Sequence, residues 1–172
     1  MIIAGHNRKL LNKYYEETNR QAIVARTCNC RAPVNCPLDG NCLQNDVLYK
    51  GRCQADGVPV KNYIGLTATT FKVRFANHKT SFNTRKYSQE TTLSSYFWKM
   101  KDEGRNPAIK FSVIRTVKSY TPEMGKCALC VAEKLEILNT DPSTITNSRN
   151  ELMSSCRHKT SFLLENYKSR KK

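Results

Sequence analysis

Val47-Leu48-Tyr49-Lys50-Gly51-Arg52-Cys53 and Val60-Lys61-Asn62-Tyr63-Ile64-Gly65-Leu66 are strand-like runs separated by Gln54-Ala55-Asp56-Gly57-Val58-Pro59. β-Branched and aromatic residues suit a pleated, half-buried surface, and Asp-Gly is a strong hairpin-turn signal. The pattern predicts an antiparallel hairpin. Tyr49 falls on one strand and Tyr63 on the other, so cross-strand proximity can bring both hydroxyls to one face.

Outward from the hairpin, Phe71, Arg74, Phe75, His78 and Phe82 recur at helical spacing, and Thr67, Thr69 and Thr70 are N-cap candidates, which predicts a helix over about 69–80. A basic loop, 79–87, leads to a second helix over about 91–102 with Leu93, Tyr96, Phe97 and Met100 on one face, ended by Gly104 and Pro107. The alternating run Ile109–Val117 reads as a third strand. Cys127–Asn139 reads as a helix, with short helices near 147–156 and 160–168. The expected fold is α+β: a small three-stranded antiparallel sheet flanked by helices, carrying zinc-binding appendages. Its expected segments are a basic helical or linker stretch, 1–27, a cysteine-rich stretch, 28–46, a core domain, 47–160, and a basic tail, 161–172.

The 172 residues carry 29 Lys and Arg against 14 Asp and Glu, a formal charge of +15. Such an excess favours polyanions through counterion release and steering, which makes nucleic acid the natural partner. The basic residues are spread along the chain and not gathered opposite an apolar helix face, which speaks against a membrane surface. The longest apolar runs are far too short to span a bilayer, and the start lacks an apolar stretch of signal-peptide length, so an intracellular protein is expected. Charge alone also fits a ribosomal-type structural protein.

The eight cysteines fall into two groups separated by 73 cysteine-free residues, which suggests local sites more than a disulfide framework. Cys28, Cys30, Cys36 and Cys42 are interleaved with Pro33, Pro37 and Gly40, turn formers that let four thiolates converge on a tetrahedral Zn²⁺; disulfides are the competing reading, and Cys53 is an alternative member. Cys127-Ala-Leu-Cys130 is a half-site that Cys156 and His158 can close. There the competing reading is plain packing of a thiol on an apolar helix face.

Arg74 and His78 are four apart, hence on one helix face, and Phe71 and Phe75 pull that face toward the sheet. A partly buried guanidinium needs an anionic partner, a phosphate or a structural carboxylate. His78 is a candidate hydrogen-bonding group or base, against a satisfied core-edge histidine. Glu133, in the Cys127–Asn139 helix, is the candidate Mg²⁺ carboxylate, with Glu136 competing.

Tyr49 in Val47-Leu48-Tyr49, then Tyr63-Ile64-Gly65, Arg74 and His78, resemble the GIY-YIG nuclease signature, with Val47 and Leu48 standing where Gly and Ile are usual. The ordered blocks Cys28-Asn-Cys30 through Asn41-Cys42, Asn62–Thr67, Arg74–Phe82, Leu93–Trp98, Cys127–Leu138 and Ser155–His158 resemble the C-terminal endonuclease of Penelope-like retroelements over about residues 28–160. The resemblance implies hydrolysis of DNA with one divalent ion, Mg²⁺ or Mn²⁺, beside two structural Zn²⁺. Tyr49 would activate the water or act as base, with Tyr63 in the same network. Arg74 would neutralise developing charge, His78 would position or relay a proton, Glu133 would hold the ion, and Asn147, with Asn150 as the alternative, would be the family's late asparagine. Thr92 stands where many relatives carry an acidic residue. The implied activity is a nick whose 3′ hydroxyl primes reverse transcription of a retroelement, in the nucleus. Element RNA and a reverse transcriptase domain of the parent protein would be further partners. The alternative is a zinc-stapled nucleic-acid-binding module without catalysis.

Overall fold

Strand β1, Val47–Gln54, turns through Gly57 at φ +72° into β2, Lys61–Thr67, and the two pair antiparallel from Val47↔Thr67 to Cys53↔Lys61. This is the computed structural model of the chain, and it describes residues 28–121, 123–156 and 158. The expected segments 1–27 and 161–172 and the helix near 160–168 lie outside the described residues. The third strand, β3 (Ala108–Thr116), pairs antiparallel with the other edge of β1, so the order is β2-β1-β3 with the first strand central. Its register shifts between Leu48 and Tyr49, which face Arg115 and Val113, and the resulting bulge re-aims the chain next to Tyr49.

The period of two along the strands divides the core between two faces. Val47, Tyr49, Cys53 and Tyr63 pack with Phe71 of helix α1 (Phe71–Asn83) and Leu93 of α2 (Thr92–Asp102). Leu48 and Ile64 point the other way, onto Leu129, Ala132 and Ile137 of α3 (Ala128–Asn139). A last short helix, α4 (Arg149–Met153), follows a segment that runs along the outer edge of β2, where Ile145 bridges Asn62 in parallel. The sheet is thus covered on both faces, and side chains from α1 and α3 meet over β2, where Arg74 and Glu133 line one cleft with Tyr63 and Leu66. Among the described residues no helix is long and apolar enough to cross a membrane.

Val47, where the signature has glycine, is fully buried in the α1-side core together with Leu38 of the cysteine-rich segment. That segment is therefore built onto the sheet. Cys53, the thiol outside both groups, is a core residue whose pKa burial pushes up to about 11, which makes it an inert packing group.

Candidate active site

The hydroxyl of Tyr49 is the hub of a buried network. Arg74 Nε donates to Tyr49 Oη at 2.8 Å, and Tyr49 Oη lies 2.8 Å from His78 Nε2. His78 is 2% exposed, stacked on Phe82 at 5.7 Å and tilted against Phe111 at 5.3 Å. Burial, aided by the Arg74 charge, drives its pKa down to about 3, so the ring is neutral. Nε2 is then the acceptor and Tyr49 the donor, which assigns the ring proton to Nδ1. The order is Arg74 to Tyr49 to His78.

Gly65 pairs with Tyr49 across the hairpin, and a Cβ there would lie 2.6 Å from Tyr49 Cζ and Oη and 2.7 Å from Tyr63 Cε1. The glycine is needed because two phenol rings fill that space. Tyr63 is 4% exposed and Tyr49 is not exposed at all.

Beyond this network a cleft of about 560 Å³ opens over the β2 edge, lined among others by Tyr63, Arg74, Glu90, Glu133, Glu151 and His158. Arg74 is held above its ordinary range: burial pushes the guanidinium down, but the Tyr49 and Tyr63 hydroxyls outweigh it. Burial and then the nearby Glu151 carboxylate push Glu133 up to about 7, against the pull of Arg74. Glu151 is also raised, by burial. Two half-buried carboxylates thus face one cavity beside a guanidinium, and carboxylate oxygens are donors of the kind Mg²⁺ or Mn²⁺ takes.

No family model matches the chain, and no curated protein or solved structure matches it.

The structure brings Tyr49, Tyr63, Arg74, His78 and Glu133 to one place, but their access differs from the expectation. Tyr49, expected to act on the water, is sealed behind Arg74 and does not line the cleft; Tyr63 does. Burial pushes Tyr49 up to about 12 in spite of Arg74, so it is a proton donor to His78 and holds Arg74 in place. Asn147 does not line the cleft itself but borders it, its amide in hydrogen-bond contact with Glu151. Its Oδ1 accepts from Ile64 N–H at 2.7 Å and its Nδ2 donates to Ile64 C=O at 2.8 Å, so its amide extends the β2 edge as a strand would. Asn150 lines the cleft and Glu136 does not.

Glu151 was not singled out by the sequence reading. Ser148-Arg-Asn-Glu151 is a capping box, Glu151 Oε2 accepting Ser148 N–H at 2.7 Å, and that signal marks a helix start and not a site. Its Oε1 accepts from Thr92 Oγ1 at 3.3 Å, so the first residue of α2 supports an acid on another element.

Two further clusters can hold a metal ion: Cys28, Cys30, Cys36 and Cys42, and Cys127, Cys130, Cys156 and His158, with the ligand atoms of each within 4.8 Å of one another. Cys42 Sγ lies 3.6 Å from Cys30 Sγ and 3.5 Å from Cys28 Sγ, near the ~3.8 Å edge of a tetrahedron with ~2.3 Å Zn–S bonds. His158 Nδ1 lies 3.4, 3.2 and 3.7 Å from the sulfurs of Cys127, Cys130 and Cys156. All the cysteines are free thiols, so disulfides do not hold these groups. Burial and the neighbouring sulfurs push Cys42 up to about 12, so a crowd of thiols like this gives up its protons most readily to a cation. The donor sets fit Zn²⁺.

Proposed function

We propose that this chain is a metal-dependent DNA endonuclease that nicks one strand and leaves a 3′ hydroxyl. The observation that carries the proposal is the cleft at the β2 edge, where Arg74, Tyr63, Glu133 and Glu151 converge on one cavity in a chain of charge +15. The resemblance to GIY-YIG nucleases of Penelope-like retroelements supplies the setting: the nick primes reverse transcription in the nucleus, with element RNA and a reverse transcriptase domain as partners.

Hydrolysis of a phosphodiester builds negative charge on the non-bridging oxygens, and a guanidinium preorganised in a half-buried cleft stabilises that charge without reorganising. Tyr49 takes one of Arg74's five donors, on Nε, and thereby fixes the plane from which the rest address a phosphate. His78 accepts the Tyr49 proton and so keeps the tyrosine oxygen turned to Arg74. Tyr63 is the tyrosine placed to orient an attacking water. Glu133, with Glu151 beside it, would hold Mg²⁺ or Mn²⁺, which when bound supplies Lewis-acid stabilisation and a more acidic water.

The chelating clusters favour a second, coarser reading, a zinc-stapled nucleic-acid-binding module without catalysis, because the clusters and the charge suffice for it. Supercoiled plasmid incubated with Mg²⁺ or Mn²⁺, followed by labelled extension with a DNA polymerase, separates the two. The nuclease reading expects relaxed circles with extendable ends from the parent, and none from Glu133→Ala or Arg74→Ala proteins that keep DNA binding and zinc. Binding without cleavage by the parent over varied substrates establishes the second reading.

A further inference from the structure

Each chelating cluster sits at the start of a helix that lines the cleft, α1 or α3. The first four N–H groups of a helix need acceptors from outside it. In α1 the Thr70 side chain makes no capping bond; instead Phe71 N–H donates to Gln44 C=O at 2.8 Å and Lys72 N–H to Cys42 C=O at 2.7 Å, while Lys72 Nζ donates to Asn29 Oδ1 at 2.6 Å. The loop around the four thiols is therefore the cap of the helix that carries Arg74 and His78, and Cys42 is both a ligand and part of that cap. The loop itself is a run of turns, with Asp39 and Gly40 at positive φ between Cys36 and Cys42. Short turn bonds and the buried Leu38 anchor the loop, and its four sulfurs converge within 4.8 Å.

At the other cluster, Cys127 occupies the N-cap position of α3 and Cys130 lies in its first turn, while Cys156 and His158 follow α4. Glu133 is one turn beyond Cys130. Glu151 lies on α4, only five residues long and too short to persist alone. Lys134 Nζ donates to Ser154 C=O at 2.6 Å, an exposed bond between the two segments, and Leu152 packs against the cluster of Leu129 and Ala132. Cys130, Glu133, Glu151 and His158 all line the same cleft. Two half-buried carboxylates repel, and the chelate ties together the segments that carry them.

We infer that the two metal clusters divide the positioning of the cleft: the four-thiol cluster sets Arg74 and His78 through the start of α1, and the Cys127, Cys130, Cys156 and His158 cluster holds Glu133 against Glu151. The second half rests on the divalent-ion site proposed above; the first stands on the capping bonds alone. Both clusters are positioning devices.

The test is hydrogen exchange read by mass spectrometry on the full chain, with zinc content and Mn²⁺ binding by electron paramagnetic resonance measured on the same samples. The proteins are the parent, Cys28→Ser/Cys36→Ser, Cys130→Ser/Cys156→Ser and Cys130→His. The first double variant should lose one zinc and raise exchange at Phe71–Arg74, leaving 148–153 and Mn²⁺ affinity unchanged. The second should raise exchange over 148–153 and weaken Mn²⁺ binding on the order of tenfold, the scale of outer-shell support at metal sites, with α1 unchanged. Cys130→His, which keeps a ligand, should restore both zinc and Mn²⁺ affinity. Zinc loss without a change in exchange at either helix overturns the inference. So does a rise that spreads through β1, or an equal loss of Mn²⁺ affinity from both double variants. A parent that binds no Mn²⁺ defeats the nuclease reading instead, and the exchange pattern at the two helices still decides the division of roles.

Discussion

His78 is neutral because of where it sits, against two phenyl rings and beside a guanidinium. Unfolded, a histidine takes up its proton below about 6.5. In the fold His78 resists until about 3. Between these values the unfolded chain binds the extra proton, so stability falls as pH drops through that window, by up to about 1.4 kcal/mol per pH unit. Denaturant midpoints at pH 7 and pH 5 should therefore fall less steeply for His78→Gln, which keeps an acceptor for Tyr49, than for the parent. Equal pH slopes would show that His78 takes up its proton in the fold. At this scale the sequence announced Arg74 and His78 by their spacing and Tyr49 and Tyr63 by their places on the two strands of the hairpin. It did not show that Tyr49 would be sealed behind Arg74, because access depends on which side chains of three elements close over the ring. Nor did it show Glu151, whose neighbour across the cleft, Glu133, lies 18 positions away on another helix.

The outer edge of β2 is closed by Asn147, which satisfies both the N–H and the C=O of Ile64. Asn147→Ala leaves these groups without their partner, and the desolvation cost of such groups predicts a loss of about 1–3 kcal/mol in urea unfolding. Wild-type stability in this variant would show that water replaces the amide and that the edge is not held there. The hairpin, the two helices after it and the third strand were legible because period and turn chemistry are local. The helix expected over 69–80 runs Phe71–Asn83, since its start is set by carbonyls of the cysteine loop and not by its own threonines. That β3 joins the sheet beside β1, and not beside β2, was not legible, because antiparallel partners carry no label of edge.

The described residues form a sheet covered on both faces, and the full chain is strongly basic. Backbone-directed DNA binding by such a charge should lose on the order of 10³-fold in affinity between roughly 50 and 200 mM salt, with a slope of about −0.9 per phosphate neutralised. Tight binding that is flat in salt would mean base readout or a different ligand. The chelating groups were legible as spacing, and their place at the helix starts was not, because it depends on how the loop packs. The central claim is that the cleft cuts DNA, and the most direct measurement is the single-turnover rate of duplex cleavage in Mg²⁺ by the parent and by Glu133→Gln, with affinity and zinc content held in view. The account predicts cleavage by the parent and a rate lower by at least about 10²-fold in Glu133→Gln at equal affinity, as expected when an interaction of the transition state is removed. Equal rates in the two proteins, or no cleavage by a parent that binds DNA tightly, would contradict it.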